Sequence, residues 1–121
     1  MSEQGDETRP ATVATELLSA ARFQEELRRV TRFRAHPPVG DALDATLRRI
    51  EQNPAYAQSR LLARVLAALT YETGEFRRAE IAAFDSETLA IVIGLLDAHA
   101  GGTSTREEWV RAADAALAAQ R

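Results

Sequence analysis

Hydrophobic residues recur at intervals of three and four along most of the chain, which is the spacing of helices with one buried face. The most apolar run, residues 86–99, is apolar nearly all round. A helix of that kind belongs at the centre of a bundle. We expect its stripe to be buried with Trp109 packed near it; the stripe consists of Leu89, Val92, Ile93 and Leu96.

The same periodicity predicts further helices and therefore an all-α fold, a small bundle of about five helices around a central apolar helix at 86–99. The other helices are predicted from Val13 to Phe33, from Asp41 to Asn53, over about 55–72 and from Thr105 onward. Residues 75–85 are less regular, and their apolar positions predict a short helix over about 77–83. The β-branched residues of the central run leave a buried strand as the alternative there.

Composition limits the class of protein. The chain has 121 residues, of which 45% are hydrophobic and 27% charged, enough for one domain with a modest core. Residues 1–9 are polar and predict a flexible N-terminal tail, and residues 10–121 predict a single helical domain. The chain has no cysteine, and its central run is too short to cross a membrane. We expect a cytoplasmic protein of bacterial type with no membrane partner.

The segment after the central helix has a spacing with chemical meaning. Counting from Asp97 as position 1 places Gly102 at position 6, Thr105 at position 9 and Glu108 at position 12. An EF-hand loop has oxygen ligands at positions 1, 3, 5 and 9, glycine at 6 and a bidentate glutamate at 12. The segment therefore resembles a degenerate EF-hand, and this resemblance makes Asp97, Thr105 and Glu108 the candidate metal ligands.

Departures from the EF-hand pattern argue against bound calcium. Position 3 is His99, a poor ligand for a hard cation, and position 5 is Gly101, which has no side chain. A fainter upstream match has residues at positions 6, 8 and 12, which are Gly74, Phe76 and Glu80. Because Thr105 and Glu108 also form a helix capping box, we expect their oxygens to be engaged there, and we expect no metal or other cofactor.

The first predicted helix has an apolar stripe that is long for one member of a small bundle. Its candidate interaction residues are Phe23, Leu27, Val30 and Phe33. An excess apolar stripe can form a contact between identical subunits, so we expect a protein partner or a homodimer. The alternative is that these residues are ordinary core.

The second half of that helix is also basic. Its candidate phosphate contacts are Arg22, Arg28, Arg29 and Arg32. Glutamates lie among these arginines, and the net charge of the whole chain is -3, so a solvated face is the simpler interpretation and nucleic acid is not the expected partner.

No sequence pattern indicates catalysis. The two histidines, His36 and His99, are isolated, and there is neither a glycine-rich phosphate loop nor a nucleophile elbow. We expect a non-enzymatic interaction or dimerising module with no small-molecule substrate. The alternatives are a metal-responsive EF-hand-like protein and a nucleic-acid-binding helical protein that uses the arginines of 22–34.

Overall fold

The computed structural model describes residues 16–32 and 39–120. Within them the chain is a small helical bundle with one two-stranded sheet, which confirms the predicted all-α class. The α-helices are α1 (Ala20–Thr31), α2 (Ala42–Gln52), α3 (Ala57–Tyr71), α4 (Ser86–Gly101) and α5 (Arg106–Ala119). The other elements are β1 (Leu17–Ser19), β2 (Glu75–Arg77) and a 3-10 helix (Arg78–Ala82). The predicted tail at 1–9 lies outside the described residues.

Local capping sets the ends of the helices. The carboxylate of Asp41 accepts a hydrogen bond from the backbone N–H of Asp44 at the start of α2. Asp85 does the same for Thr88 at the start of α4, over 2.8 Å. At the end of α4, Gly102 adopts φ 63°, a left-handed conformation that favours glycine. These contacts span only a few residues, so the sequence could predict them.

The start of the first helix differs from the prediction. Residues 17–19 form β1 instead of helix, and α1 begins only at Ala20, where the Ser19 hydroxyl accepts a hydrogen bond from Arg22 N–H. Leu18 is buried while Leu17 is 62% exposed, as the two-residue period of a strand requires. Pairing with β2 decides the conformation of this segment, because helical spacing alone would have placed Leu17 on the buried face.

The region 75–85 contains the short helix predicted over about 77–83, but it is a 3-10 helix and a strand precedes it. Residues 75–77 form β2, which pairs antiparallel with β1 and places Leu18 opposite Phe76. A 3-10 helix follows over Arg78–Ala82. The Phe76 ring stacks on Phe23 of α1, with centroids 3.8 Å apart, so an aromatic contact holds the sheet against the bundle.

The core lies between the α-helices, and α3 contacts each of the other four. The most apolar helix, α4, packs on α2 and α3. Its residues Val92, Ile93 and Leu96 are buried as expected, and Trp109 belongs to the same core, whereas Leu89 is only half-buried. Among residues 16–32 and 39–120, no helix has both the length and the hydropathy needed to cross a membrane.

Candidate functional site

The EF-hand-like segment folds as the end of one helix and the start of the next. The Thr105 hydroxyl accepts a hydrogen bond from Glu108 N–H over 3.1 Å, and a Glu108 carboxylate oxygen accepts one from Thr105 N–H over 2.8 Å. This is the predicted capping box. Among the described residues, no set of three histidine, aspartate or glutamate side chains converges as metal ligands.

An open cleft of about 640 Å³ lies between the start of α2 and the α4–α5 connection. Asp41, Asp97 and Glu108 line it, together with small and apolar residues such as Gly94 and Ala98. Two of these carboxylates are already engaged, since Asp41 caps α2 and Glu108 caps α5. The candidate metal ligands Asp97 and Glu108 therefore both line the cleft, but among the described residues they belong to no group of three possible ligands.

The arginines of α1 are engaged within the domain. Arg22 and Arg29 form ion pairs with Glu25 and Glu26 respectively. Arg28 donates a hydrogen bond to the carbonyl oxygen of Leu96 near the end of α4, over 3.4 Å. The fourth candidate, Arg32, is exposed and also has an interaction partner.

The carboxylate of Glu26 neutralises part of the positive charge of these arginines. It accepts hydrogen bonds from Arg29 and, over 3.1 Å, from Arg78 of the 3-10 helix. The hydrogen bond from Arg29 is the main reason that the pKa of Glu26 lies below its usual value, and the bond from Arg78 lowers this pKa further. The face is therefore occupied by ion pairs and does not present a row of free cations to phosphates.

The interaction residues predicted on α1 divide into three groups. Phe23 and Leu27 are buried inside the domain and belong to its own core. Val30 is 39% exposed. Phe33 lies outside the described residues, as does His36. The other histidine, His99, packs edge-on against Trp109, with ring centroids 5.3 Å apart.

A different apolar surface lies where α3 and α5 pack side by side. A groove of about 210 Å³ runs between them, and it is lined by Arg60, Ala63, Arg64, Ala67, Leu117 and Gln120. Its apolar side chains are those of Ala63 and Ala67 of α3 and of Leu117 of α5, which is 45% exposed. The aliphatic stem of Arg60 forms part of the rim.

The groove belongs to a larger face of the two helices. Tyr71 lies four residues after Ala67 on α3 and donates a hydrogen bond from its hydroxyl to Asp114 of α5, over 2.8 Å. This hydrogen bond is the main reason that the pKa of Tyr71 lies above its usual value. We call this surface the α3–α5 face and define it by Arg60, Ala63, Ala67, Tyr71, Asp114 and Leu117.

No protein-family model, curated protein or solved structure shows significant similarity to this chain. The sequence pattern did not single out Leu117 as a surface residue. A usable signal was present, because Ala63 and Ala67 are four residues apart on one helix face. Small residues at that spacing leave a depression beside any larger neighbour.

Proposed function

We propose that the protein is a non-enzymatic interaction module that contacts another protein chain through the α3–α5 face. The observation that carries this proposal is Leu117, a large apolar side chain 45% exposed at the edge of an apolar groove. A single exposed leucine is ordinary, but one beside an apolar depression offers both a projection and a pocket to a partner.

Several carboxylates that could otherwise take part in chemistry are engaged in holding the fold, and this supports a binding role. Asp41, Asp85 and Glu108 cap helices. Glu80 is held by Arg64, with the nearest contact at 2.6 Å. By contrast, the Leu117 side chain is not buried in the core and caps no helix. Its position at the surface therefore suits contact with another chain.

Site-specific photo-cross-linking tests the proposal. A benzophenone amino acid replaces Leu117 in the full chain, and the matched control carries it at Val30, which is comparably exposed but lies on α1. We expect a discrete protein adduct from position 117, identified by mass spectrometry, and none from position 30. Adding Ala67→Arg, which fills the groove, should abolish the adduct while circular dichroism shows that the helices remain.

Two results would contradict the proposal. One is an adduct at position 117 that persists unchanged in the Ala67→Arg background, since the groove would then play no part in the contact. The other is an adduct from position 30 only, which would move the contact surface to α1, where the sequence pattern predicts it. If Ala67→Arg prevents folding, Ala67→Gln provides a milder obstruction of the same groove.

A further inference from the structure

The segment between α3 and α4, residues 73–84, contains β2 and the 3-10 helix, and we call it the strap. Its only buried residue is Phe76. We propose that the strap opens as one unit while the five α-helices stay folded, and that Arg64 and Arg78 determine how often it opens. The strap would open in this way whether or not the α3–α5 face binds a partner.

Both ends of the strap meet helices that are closed by their own contacts. At the end of α3, the backbone N–H of Glu72 donates a hydrogen bond to the Ala68 carbonyl oxygen over 3.0 Å. At the start of α4, the Asp85 carboxylate accepts the hydrogen bond from Thr88 N–H. The bonds that close these helix ends therefore lie outside the strap, so the strap can leave the bundle without unwinding either helix.

Apolar contacts attach the strap to the bundle mainly at one point. The Phe76 ring stacks on Phe23 of α1, with the two ring planes 9° apart. Ile81 and Phe84 are half-buried and pack against the same core. Ordering a segment costs conformational entropy at every residue, and one buried side chain with two half-buried ones offsets only part of that cost. Polar contacts must therefore contribute to closing the strap.

One polar attachment is Arg78, which lies on the strap itself. Its Nε atom donates a hydrogen bond to a carboxylate oxygen of Glu16 over 3.0 Å, and its Nη1 atom donates one to Glu26 over 3.1 Å. Its backbone N–H also donates to the carbonyl oxygen of Glu16, over 2.9 Å. Arg78 thus ties the strap to α1 and to the residue that directly precedes β1.

The other polar attachment is Arg64, which lies on α3 and holds the strap from the bundle. Its terminal nitrogens contact the two carboxylate oxygens of Glu80 at 2.6 and 3.2 Å, a bidentate pair. One of them also donates a hydrogen bond to the Glu75 carbonyl oxygen, over 2.7 Å. The same guanidinium lies 4.7 Å from the centre of the Phe76 ring. A single side chain therefore contacts both β2 and the 3-10 helix.

These contacts make the strap one cooperative unit. Arg64 joins β2 to the 3-10 helix, and Glu80 of the 3-10 helix accepts a hydrogen bond from Arg77 N–H of β2. Neither part can leave the bundle without breaking the contacts of the other, whereas the core between the α-helices is left in place. Such local opening requires less free energy than global unfolding. It uncovers the face of the Phe23 ring on which Phe76 stacks.

Hydrogen exchange of the full chain, followed amide by amide by NMR, tests the proposal. The N–H groups of Arg77 and Ala83 report on the strap, because each donates a hydrogen bond to Glu80. We expect Arg78→Gln to accelerate exchange at both amides about tenfold, because hydrogen bonds to charged groups are lost, and Arg64→Gln to do the same. Amides in the middle of α4 should stay within about threefold of their original rates.

Arg48→Gln is the matched control. It makes the same substitution, but Arg48 pairs with Asp44 inside α2, so the contact that it loses does not involve the strap. Exchange should then be unchanged both in the strap and in α4. If Arg64→Gln prevents folding, Arg64→Lys keeps the charge but cannot form the bidentate pair, and it should accelerate the strap amides in the same direction.

Three results would overturn the proposal. Strap and α4 amides that open with the same free energy in the original chain would show that the strap is released only by global unfolding. Acceleration at Ala83 without acceleration at Arg77, or the reverse, would show that the strap does not open as one unit. Strap rates unchanged in both arginine variants, or raised in equal proportion to those of α4, would show that Arg64 and Arg78 do not control the opening.

Discussion

Buried hydroxyl groups in this protein fall into two kinds. Thr46 is fully buried and donates a hydrogen bond from its hydroxyl to the Ala42 carbonyl oxygen, over 2.8 Å. Ser59 is equally buried in the first turn of α3, yet its hydroxyl has no hydrogen-bond partner in the described structure. A buried polar group without a partner loses its hydrogen bonds to water and gains nothing in return. The two residues should therefore respond oppositely to loss of the hydroxyl.

We predict that Ser59→Ala raises the free energy of unfolding by about 1 kcal/mol, because it removes an unpaired hydroxyl and places a better helix former in α3. Thr46→Val keeps the shape of the side chain but removes a satisfied hydroxyl, and it should lower the free energy of unfolding by about 1 kcal/mol. Urea denaturation of both variants measures the contrast. A loss for Ser59→Ala as large as that for Thr46→Val would show that Ser59 has a partner.

At the level of elements, the start of α2 packs directly on the backbone of α4. A Cβ atom on Gly94 would lie 2.7 Å from Cγ2 of Val39 and 3.4 Å from Cβ of Ala42. Position 94 therefore favours glycine because there is no room for a Cβ atom, although alanine is the better helix former in the middle of a helix. Gly101, near the end of the same helix, has a different environment, because a Cβ there would meet only Thr103 Oγ1 at 3.5 Å, an ordinary contact.

We predict that Gly94→Ala lowers the free energy of unfolding by about 1 kcal/mol, because overpacking against Val39 outweighs the gain in helix propensity. Val39→Ala added to this variant should recover part of the loss by making room for the new methyl group. Gly101→Ala is the control and should leave stability unchanged or slightly higher. Thermal unfolding followed by circular dichroism compares the four chains, and a Gly94→Ala chain as stable as Gly101→Ala would contradict the close packing of α2 on α4.

In the whole molecule, ion pairs connect elements that are distant in the sequence. Arg78 of the 3-10 helix contacts Glu16 at 3.0 Å and Glu26 of α1 at 3.1 Å. Arg64 of α3 holds Glu80, which also accepts a hydrogen bond from Arg77 N–H over 2.8 Å. Burial acts to raise the pKa of Glu80, but these contacts outweigh it and hold the pKa below the usual value of 4.5. Charged contacts thus fasten the 3-10 helix, which has no buried residue, to the bundle.

This pKa shift predicts a pH-dependent contribution to stability. Since the pKa of Glu80 is lower in the folded chain than in the unfolded chain, its contribution is present above the unfolded value of about 4.5 and is lost as the pH falls through the folded value. Glu80→Gln should therefore be less stable than the original chain at pH 7, and the difference should shrink as the pH falls through the lowered pKa of the folded chain.

Urea denaturation at pH 7, 4.5 and 3 measures the effect on both chains. Glu51→Gln, on the exposed surface at the end of α2, is the matched control and should leave stability at pH 7 unchanged. A difference for Glu80→Gln that is the same at all three pH values would show that the loss comes from packing and not from the ionised carboxylate.

Interactions within a few residues were enough to determine most helices of this protein. Asp41 at the start of α2, the Thr105–Glu108 capping box of α5 and Gly102 at the end of α4 are contacts of neighbours in the sequence. The spacing of Thr105 and Glu108 in the sequence also indicated that the EF-hand-like pattern has a helix-capping basis. Such features could be predicted because the groups that satisfy each helix end lie within a turn of it.

Only the tertiary structure decided where the chain makes a sheet and which apolar face stays uncovered. β1 and β2 pair across almost 60 residues, with Leu17 opposite Arg77, and no local pattern encodes that partner. Helical spacing shows that a face is apolar but not which element will cover it. Phe23 of α1 is covered by Phe76, whereas Leu117 of α5 is left at the surface beside α3. Which of these apolar residues stays at the surface could not be predicted from the sequence, because burial depends on packing between distant elements.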